Sequence, residues 1–211
     1  MAQKLETLRR GRDDDDGDRS AWLLFLGHWL RHPTGIGSIL PSSPAVGRTV
    51  ARLAPLDRPG AVLELGGGTG SLTRYLLEAG CAPERLVVLE REPALAAFLR
   101  RRFPKLKVLC ADACDLGAEL DRERVGTLAT VVSSLPIRWF PLEASRAIVD
   151  QAFGRMEAGG TMLQLTNGPT SPIPLAPLGL DGAEAARVWL NLLPMRVWRY
   201  RRAGDAAAPQ H

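Results

Sequence analysis

The sequence predicts an α/β fold, with a mostly parallel sheet, helices on both faces, a C-terminal antiparallel hairpin and an N-terminal helical extension. Three observations carry this expectation. From residue 61 onward, short apolar runs alternate with segments of helical spacing. A glycine cluster, Gly66-Gly67-Gly68-Thr69-Gly70, stands between the first such run and the first such helix. Near the C-terminus two β-rich runs follow one another with no helix between them. The 211 residues suffice for one domain and a short appendage, and 45% hydrophobic against 24% charged residues is a globular balance.

The elements follow in order. Residues 1–18, with the run Asp13-Asp14-Asp15-Asp16, predict a solvated, disordered tail. Four adjacent carboxylates cannot converge on one ion without a shaped loop, so no metal is expected there. Residues 19–60 predict N-terminal helices and a covering loop. Ser20 caps a helix that ends at Pro33, on which Trp22, Leu23, Phe25, Leu26, Trp29 and Leu30 share one broad face. Gly27, His28, Arg31 and His32 gather opposite. A Gly/Ser/Pro loop (34–44), a second helix (45–53) and a turn (55–60) come next. Residues 61–202 predict the main domain. Its strands are expected at 61–65, 86–90, 107–110, 128–134 and 160–166, and its helices at 69–80, 93–103 and 141–156. The hairpin strands are expected at 187–191 and 195–200. Residues 203–211 predict a second disordered tail.

Composition excludes some classes of function and leaves others open. The formal charge of +4 suggests an anionic partner, either nucleic acid or a membrane surface. Cys81, Cys110 and Cys114 form no C-x-x-C pair, so neither a disulfide scaffold nor a zinc site is expected, and a reducing, cytoplasmic compartment fits. The first residues lack the apolar core of a secretory signal. No run approaches the ~20 apolar residues of a spanning helix, so any membrane contact is expected to be peripheral.

The glycine cluster carries the sharpest chemistry. Glycines at 66, 68 and 70 let the backbone turn tightly and approach a ligand, at the carboxyl end of the first strand, where open α/β sheets bind ligands. A dinucleotide fingerprint needs glycine at 71, which is Ser71. The pattern acid-x-G-x-G-x-G, with Glu64 as its acid, instead resembles motif I of the S-adenosylmethionine-dependent methyltransferases. Glu90 ends the second strand and can accept hydrogen bonds from both ribose hydroxyls. Asp112 follows the third strand, where methyltransferases commonly hold the adenine amino group. The resemblance implies a Rossmann-like class I methyltransferase fold. It also implies a cofactor set of Ser38, Glu64, Gly66, Gly68, Thr69, Gly70, Glu90, Arg91, Asp112, Ala113 and Ser134.

The fourth strand ends in Ser133-Ser134-Leu135-Pro136-Ile137, which resembles the N-L-P-Y motif of ribosomal RNA adenine dimethyltransferases. By that resemblance Ser134 and the Leu135 backbone carbonyl hold the target amine. Ile137 replaces the stacking tyrosine, and a base-binding site needs a planar surface. Taken whole, GHWLRHPTGIGSILPSS, ELGGGTG, SSLPI, QLTNGPTSPI and RVWLNLLPMRVWRYRR closely resemble the small soluble bacterial phosphatidylethanolamine N-methyltransferases, from about residue 22 to residue 202. That family methylates the phosphatidylethanolamine headgroup stepwise to phosphatidylcholine, with S-adenosylhomocysteine as by-product. One departure is that the residue before Gly168, usually Tyr in the family, is Asn167.

The resemblance implies a monomer in solution that docks on the inner face of the cytoplasmic membrane, on phosphatidylethanolamine and anionic lipids, without nucleic acid. Asn167, Arg196 and Arg199 are the expected headgroup contacts. Arg187, Arg196, Arg199, Arg201 and Arg202 crowd the hairpin with no intervening acid, and arginine suits phosphate. Strand alternation puts Arg196 and Arg199 on opposite faces, so some of these cations are ordinary surface charge. For Trp22, Phe25, Leu26 and Trp29, periodicity alone allows either an interfacial face or a helix capping the core, and the resemblance favours the membrane. Two alternatives remain: an RNA adenine N6-dimethyltransferase and a non-catalytic relic of the fold.

Overall fold

The computed structural model describes residues 43–189 and 194–205. The expected entry helix with Trp22, Phe25, Leu26 and Trp29, the loop with Ser38, and both expected tails apart from residues 203–205 lie outside the described residues. The strands are β1 (Ala61–Leu65), β2 (Leu86–Glu90), β3 (Lys107–Cys110), β4 (Leu128–Ser133), β5 (Met156–Thr166), β6 (Leu180–Val188) and β7 (Met195–Arg202). The α-helices are α1 (Pro44–Leu53), α2 (Ser71–Glu78), α3 (Pro93–Arg102), α4 (Leu116–Arg122) and α5 (Leu142–Gly154).

The strands form one sheet in the order β3-β2-β1-β4-β5-β7-β6. β1 to β5 are mutually parallel, and β7 runs antiparallel to both β5 and β6. The parallel strands are buried on both faces, which is why they are nearly continuous apolar runs. Side-chain alternation divides them between two cores. Leu63, Leu65, Leu89, Val131, Met162 and Tyr200 pack on one face with Leu116 and Leu120 of α4 and Ile148 and Phe153 of α5. Val62, Val88, Val132, Leu163 and Val197 pack on the other with Val46 and Val50 of α1, Leu72 and Leu76 of α2 and Leu99 of α3.

The structure moves several boundaries. α2 starts at Ser71 rather than 69, because Gly68 (φ +53°) and Gly70 (φ +79°) hold the preceding turn in the left-handed region. β5 begins at Met156, through an irregular stretch where the pairing slips between Leu128 and Thr130. The first hairpin strand is β6, which starts at Leu180 rather than 187. Of its nine residues only Leu180 and Val188 are buried, so the sequence there lacks an apolar signal. α4 was not expected, since LGAELDR buries only Leu116 and Leu120.

Candidate active site

The parallel strands all end on one side, and the loops after β1, β2, β3, β4 and β5 meet there. The glycine loop is tied to β2: the Gly66 and Gly67 amides donate to the Leu89 carbonyl (2.9 and 3.3 Å). Gly68 faces open space, since a Cβ built on it would meet no atom within 4 Å. Its positive φ and this clearance together make room for a ligand against the backbone. α2 begins directly behind, so its N-terminal amides add partial positive charge.

Three acids line this end. Glu64 is fully buried; its Oε2 accepts from Thr73 Oγ1 (2.7 Å), and its Oε1 has no partner. Burial pushes its carboxyl up to about 8, offset in part by the Thr73 hydrogen bond, with the Glu90 charge adding to the rise. Glu90 accepts the Gly68 amide at Oε2 (2.8 Å) and the Glu92 amide at Oε1 (2.9 Å). Each oxygen keeps a further lone pair for a ligand hydroxyl. Asp112 caps the short turn Ala113–Asp115 by accepting the Cys114 amide (2.9 Å), and Arg91 lies 3.6 Å from its other oxygen. The amide hydrogen bond, with smaller help from Arg91, holds this carboxyl below its ordinary value.

The loop after β4 is joined to the glycine loop. The Ser134 hydroxyl donates to the Gly66 carbonyl (2.8 Å), and the Ser134 amide donates to Leu65 O (3.0 Å). The Leu135 carbonyl already accepts from the Ile137 amide (2.8 Å) and from Gln164 Nε2 (2.9 Å). Both lone pairs are thereby engaged. The amine-holding role expected of this carbonyl is therefore corrected, and the Ser134 Oγ lone pairs are what remain free. Ile137 is 1% exposed and belongs to the core, so it offers no platform for a base. Trp139, two residues on, is 74% exposed. A cleft opens between this loop and the end of β5, lined by Leu135, Ile137, Arg138, Trp139, Thr166 and Asn167 among others.

The hairpin arginines do not form the uncompensated patch expected of them. Glu184 pairs with Arg187 (2.7 Å) and with Arg196 (3.2 Å), and Asp150 pairs with Arg202 (2.7 Å). The balancing acids come from earlier in the chain. Arg196 also donates to the Gly168 carbonyl (2.9 Å), which places it beside the Asn167 loop. Arg199 pairs in register with Leu163, three positions back from the Thr166–Arg196 pair. At ~3.4 Å per residue that is roughly 10 Å from the strand ends, so the structure does not bring Arg199 to the cleft. Sequence reasoning missed Thr73, Arg138 and Gln164. For Gln164 the signal was present: a fully buried glutamine in an apolar strand must serve some polar partner.

A doubly wound sheet whose carboxyl edge combines a glycine loop with acids at the ends of successive strands is suited to a nucleoside-bearing cofactor. A family model described as "Methyltransferase domain" matches residues 62–160. The chain is 36% identical over 151 residues to an ornithine lipid N-methyltransferase of Singulisphaera acidiphila, an alignment covering 70% of this chain and 79% of that protein. It is 39% identical over 75 residues to the ribosomal RNA small subunit methyltransferase A of Chlorobium luteolum, covering 36% of this chain but only 26% of that one. Among solved structures, the glycopeptide N-methyltransferase MtfA in complex with S-adenosylmethionine superimposes with a TM-score of 0.54 at 17% identity, over 76% of this chain and 96% of that one. The chain belongs to the class I S-adenosylmethionine-dependent methyltransferases. The site fits that cofactor: Glu64 Oε1 is a buried polar atom without a partner, Gly68 leaves its side of the loop open, and Glu90 has acceptor capacity to spare.

Proposed function

We propose that this chain methylates the headgroup amine of phosphatidylethanolamine, stepwise toward phosphatidylcholine, as a peripheral enzyme on the inner face of the cytoplasmic membrane. The carrying observation is Ile137. At the position where the adenine methylases it resembles hold a stacking ring, this chain has a buried aliphatic residue, so the adjoining cleft suits a small amine better than a base. The lipid-amine relative supports the same class of acceptor. Trp139 at the cleft mouth and Trp189 (66% exposed) are large apolar groups in water, of the kind that sit at a lipid boundary. Among the described residues no helix is long and apolar enough to cross a membrane.

In this reading Glu64, Gly68, Glu90 and Asp112 hold the cofactor, and Ser134 orients the amine. When bound, S-adenosylmethionine supplies an electrophilic methyl on sulfur and leaves as S-adenosylhomocysteine. The headgroup amine is protonated at neutral pH and must give that proton to solvent water before its lone pair can react. Ser134 Oγ, whose own proton is committed to Gly66, is left as an acceptor toward the amine. Fixing the amine in line is the main assistance such a site gives. Headgroup contacts from Asn167, just past β5, and from Arg196, on β7 opposite Thr166, fit their place at the carboxyl edge of the sheet.

The ribosomal RNA relative favours a second reading, adenine methylation. Incubation with labelled S-adenosylmethionine and phosphatidylethanolamine vesicles, ornithine lipid vesicles or ribosomal RNA separates the two. Label in phosphatidylethanolamine is expected, and label in RNA alone sinks the proposal.

A further inference from the structure

Arg138 differs from the other cations at this end of the sheet. Arg91 faces Asp112, and Arg187 and Arg196 share Glu184. Among the described residues Arg138 has no carboxylate partner, and it lines the cleft beside Leu135, Thr166 and Asn167. Its Nη2 donates to the Thr170 carbonyl (2.6 Å) and hydroxyl (3.2 Å), which fixes the guanidinium in place. Its Nε is buried with no hydrogen-bond partner. The plane lies directly over Gly168: a Cβ there would stand 2.5 Å from Nη2 and 2.7 Å from both Cζ and Nε. Glycine at 168 is thus what lets the fork sit this deep.

A guanidinium that is held rigid, left unneutralised and not fully bonded is built to receive an oxyanion, because its planar donors match two oxygens at once. It stands four residues from Ser134, where the amine is to be held. A zwitterionic headgroup carries its ammonium and its oxyanion a few bonds apart. In phosphatidylethanolamine the oxyanion is the phosphate, and in an ornithine lipid it is the carboxylate.

Resting on the lipid-amine reading above, we propose that Arg138 is the headgroup's anion receptor, binding the oxyanion of a zwitterionic amino lipid while Ser134 orients its amine. The cleft then selects for the pairing of the two charges and not for an amine alone.

The test compares wild type, Arg138→Gln and Arg138→Lys on mixed vesicles of phosphatidylcholine with one of three amines. These are phosphatidylethanolamine, an ornithine lipid, and stearylamine, which has an amine and no anion. S-adenosylmethionine affinity is followed by calorimetry as the check on folding. Charged hydrogen bonds of this kind correspond to roughly 10–100-fold. Arg138→Gln is expected to lower kcat/KM by about that factor on whichever zwitterionic lipid the wild type uses, chiefly through KM. Arg138→Lys is expected to recover part of the loss. Wild type is expected to prefer the zwitterion to stearylamine, and Arg138→Gln to lose that preference. An equal loss on stearylamine would make Arg138 only a clamp for the Thr170 loop and overturn the proposal, as would an unchanged KM. If wild type binds S-adenosylmethionine yet methylates none of the three, the lipid-amine reading fails first and the receptor falls with it.

Discussion

Replacing Glu64 by Gln keeps the size of the side chain and removes its titration. The carboxyl is fully buried, with one oxygen on Thr73 and the other unpartnered, and burial raises it from an ordinary 4.5 to about 8. Between those values the folded chain holds a proton that the unfolded chain has released. Folding then takes up a proton, so stability is greatest below about 4.5 and is lost as pH rises through about 8. Each pH unit in the window weighs about 1.4 kcal/mol, so from pH 5.5 to 8 the wild type loses roughly 3 kcal/mol from this group alone. Glu64→Gln removes that slope and leaves every other titration in place. Urea unfolding of both proteins in steps from pH 5 to 9 measures the difference directly. The variant is expected to gain on wild type steadily with pH and to level off above about 8. Parallel curves would refute the reasoning, whatever their offset, because a lost or misplaced hydrogen bond shifts stability without tilting it. Saturating S-adenosylmethionine is expected to flatten the wild-type curve, since a cation beside Oε1 favours the charged form.

Three further outcomes are expected. Gly68→Ala places a methyl in the open side of the loop at φ +53°, which costs about 1–2 kcal/mol of stability by thermal unfolding, and calorimetry is expected to show cofactor affinity at least roughly tenfold lower. Glu90→Ala removes the acceptor of both the Gly68 and the Glu92 amides; with charged hydrogen bonds at about 1.5–3 kcal/mol, cofactor affinity is expected to fall more than tenfold while the far-ultraviolet circular dichroism is kept. Tyr200→Phe deletes the 2.8 Å contact to Ser171 inside the core, for an expected loss of about 1 kcal/mol in urea unfolding.

The parallel half of the fold was legible because its strands are buried on both faces, which leaves uninterrupted runs such as AVLEL and LVVLE. β6 was not, because it is an edge strand whose middle residues are exposed or only part-buried and carry no apolar run. On the cofactor side, the glycine loop, Glu64, Glu90 and Asp112 stand where their spacing put them, since each lies at or just past the end of a strand of predictable length. The acceptor side depends on contacts between distant segments. Nothing in SSLPI announces that Gln164, twenty-nine residues further on, occupies the Leu135 carbonyl. Nor does the arginine-rich hairpin announce that Glu184 and Asp150 pair with three of its arginines. Charge excess along a sequence is not charge excess in space.

The hydrogen bond from Ser134 to the Gly66 carbonyl has a consequence for how such an enzyme changes over generations. If Ser134 orients the amine as proposed, one side chain serves the acceptor and props the glycine loop, so a substitution at 134 that suits a new amine also disturbs that loop. Drift toward new acceptors is thereby steered away from position 134. It is steered onto residues 167–172, which border the cleft through Asn167 and Pro172 and make no such bond to the glycine loop.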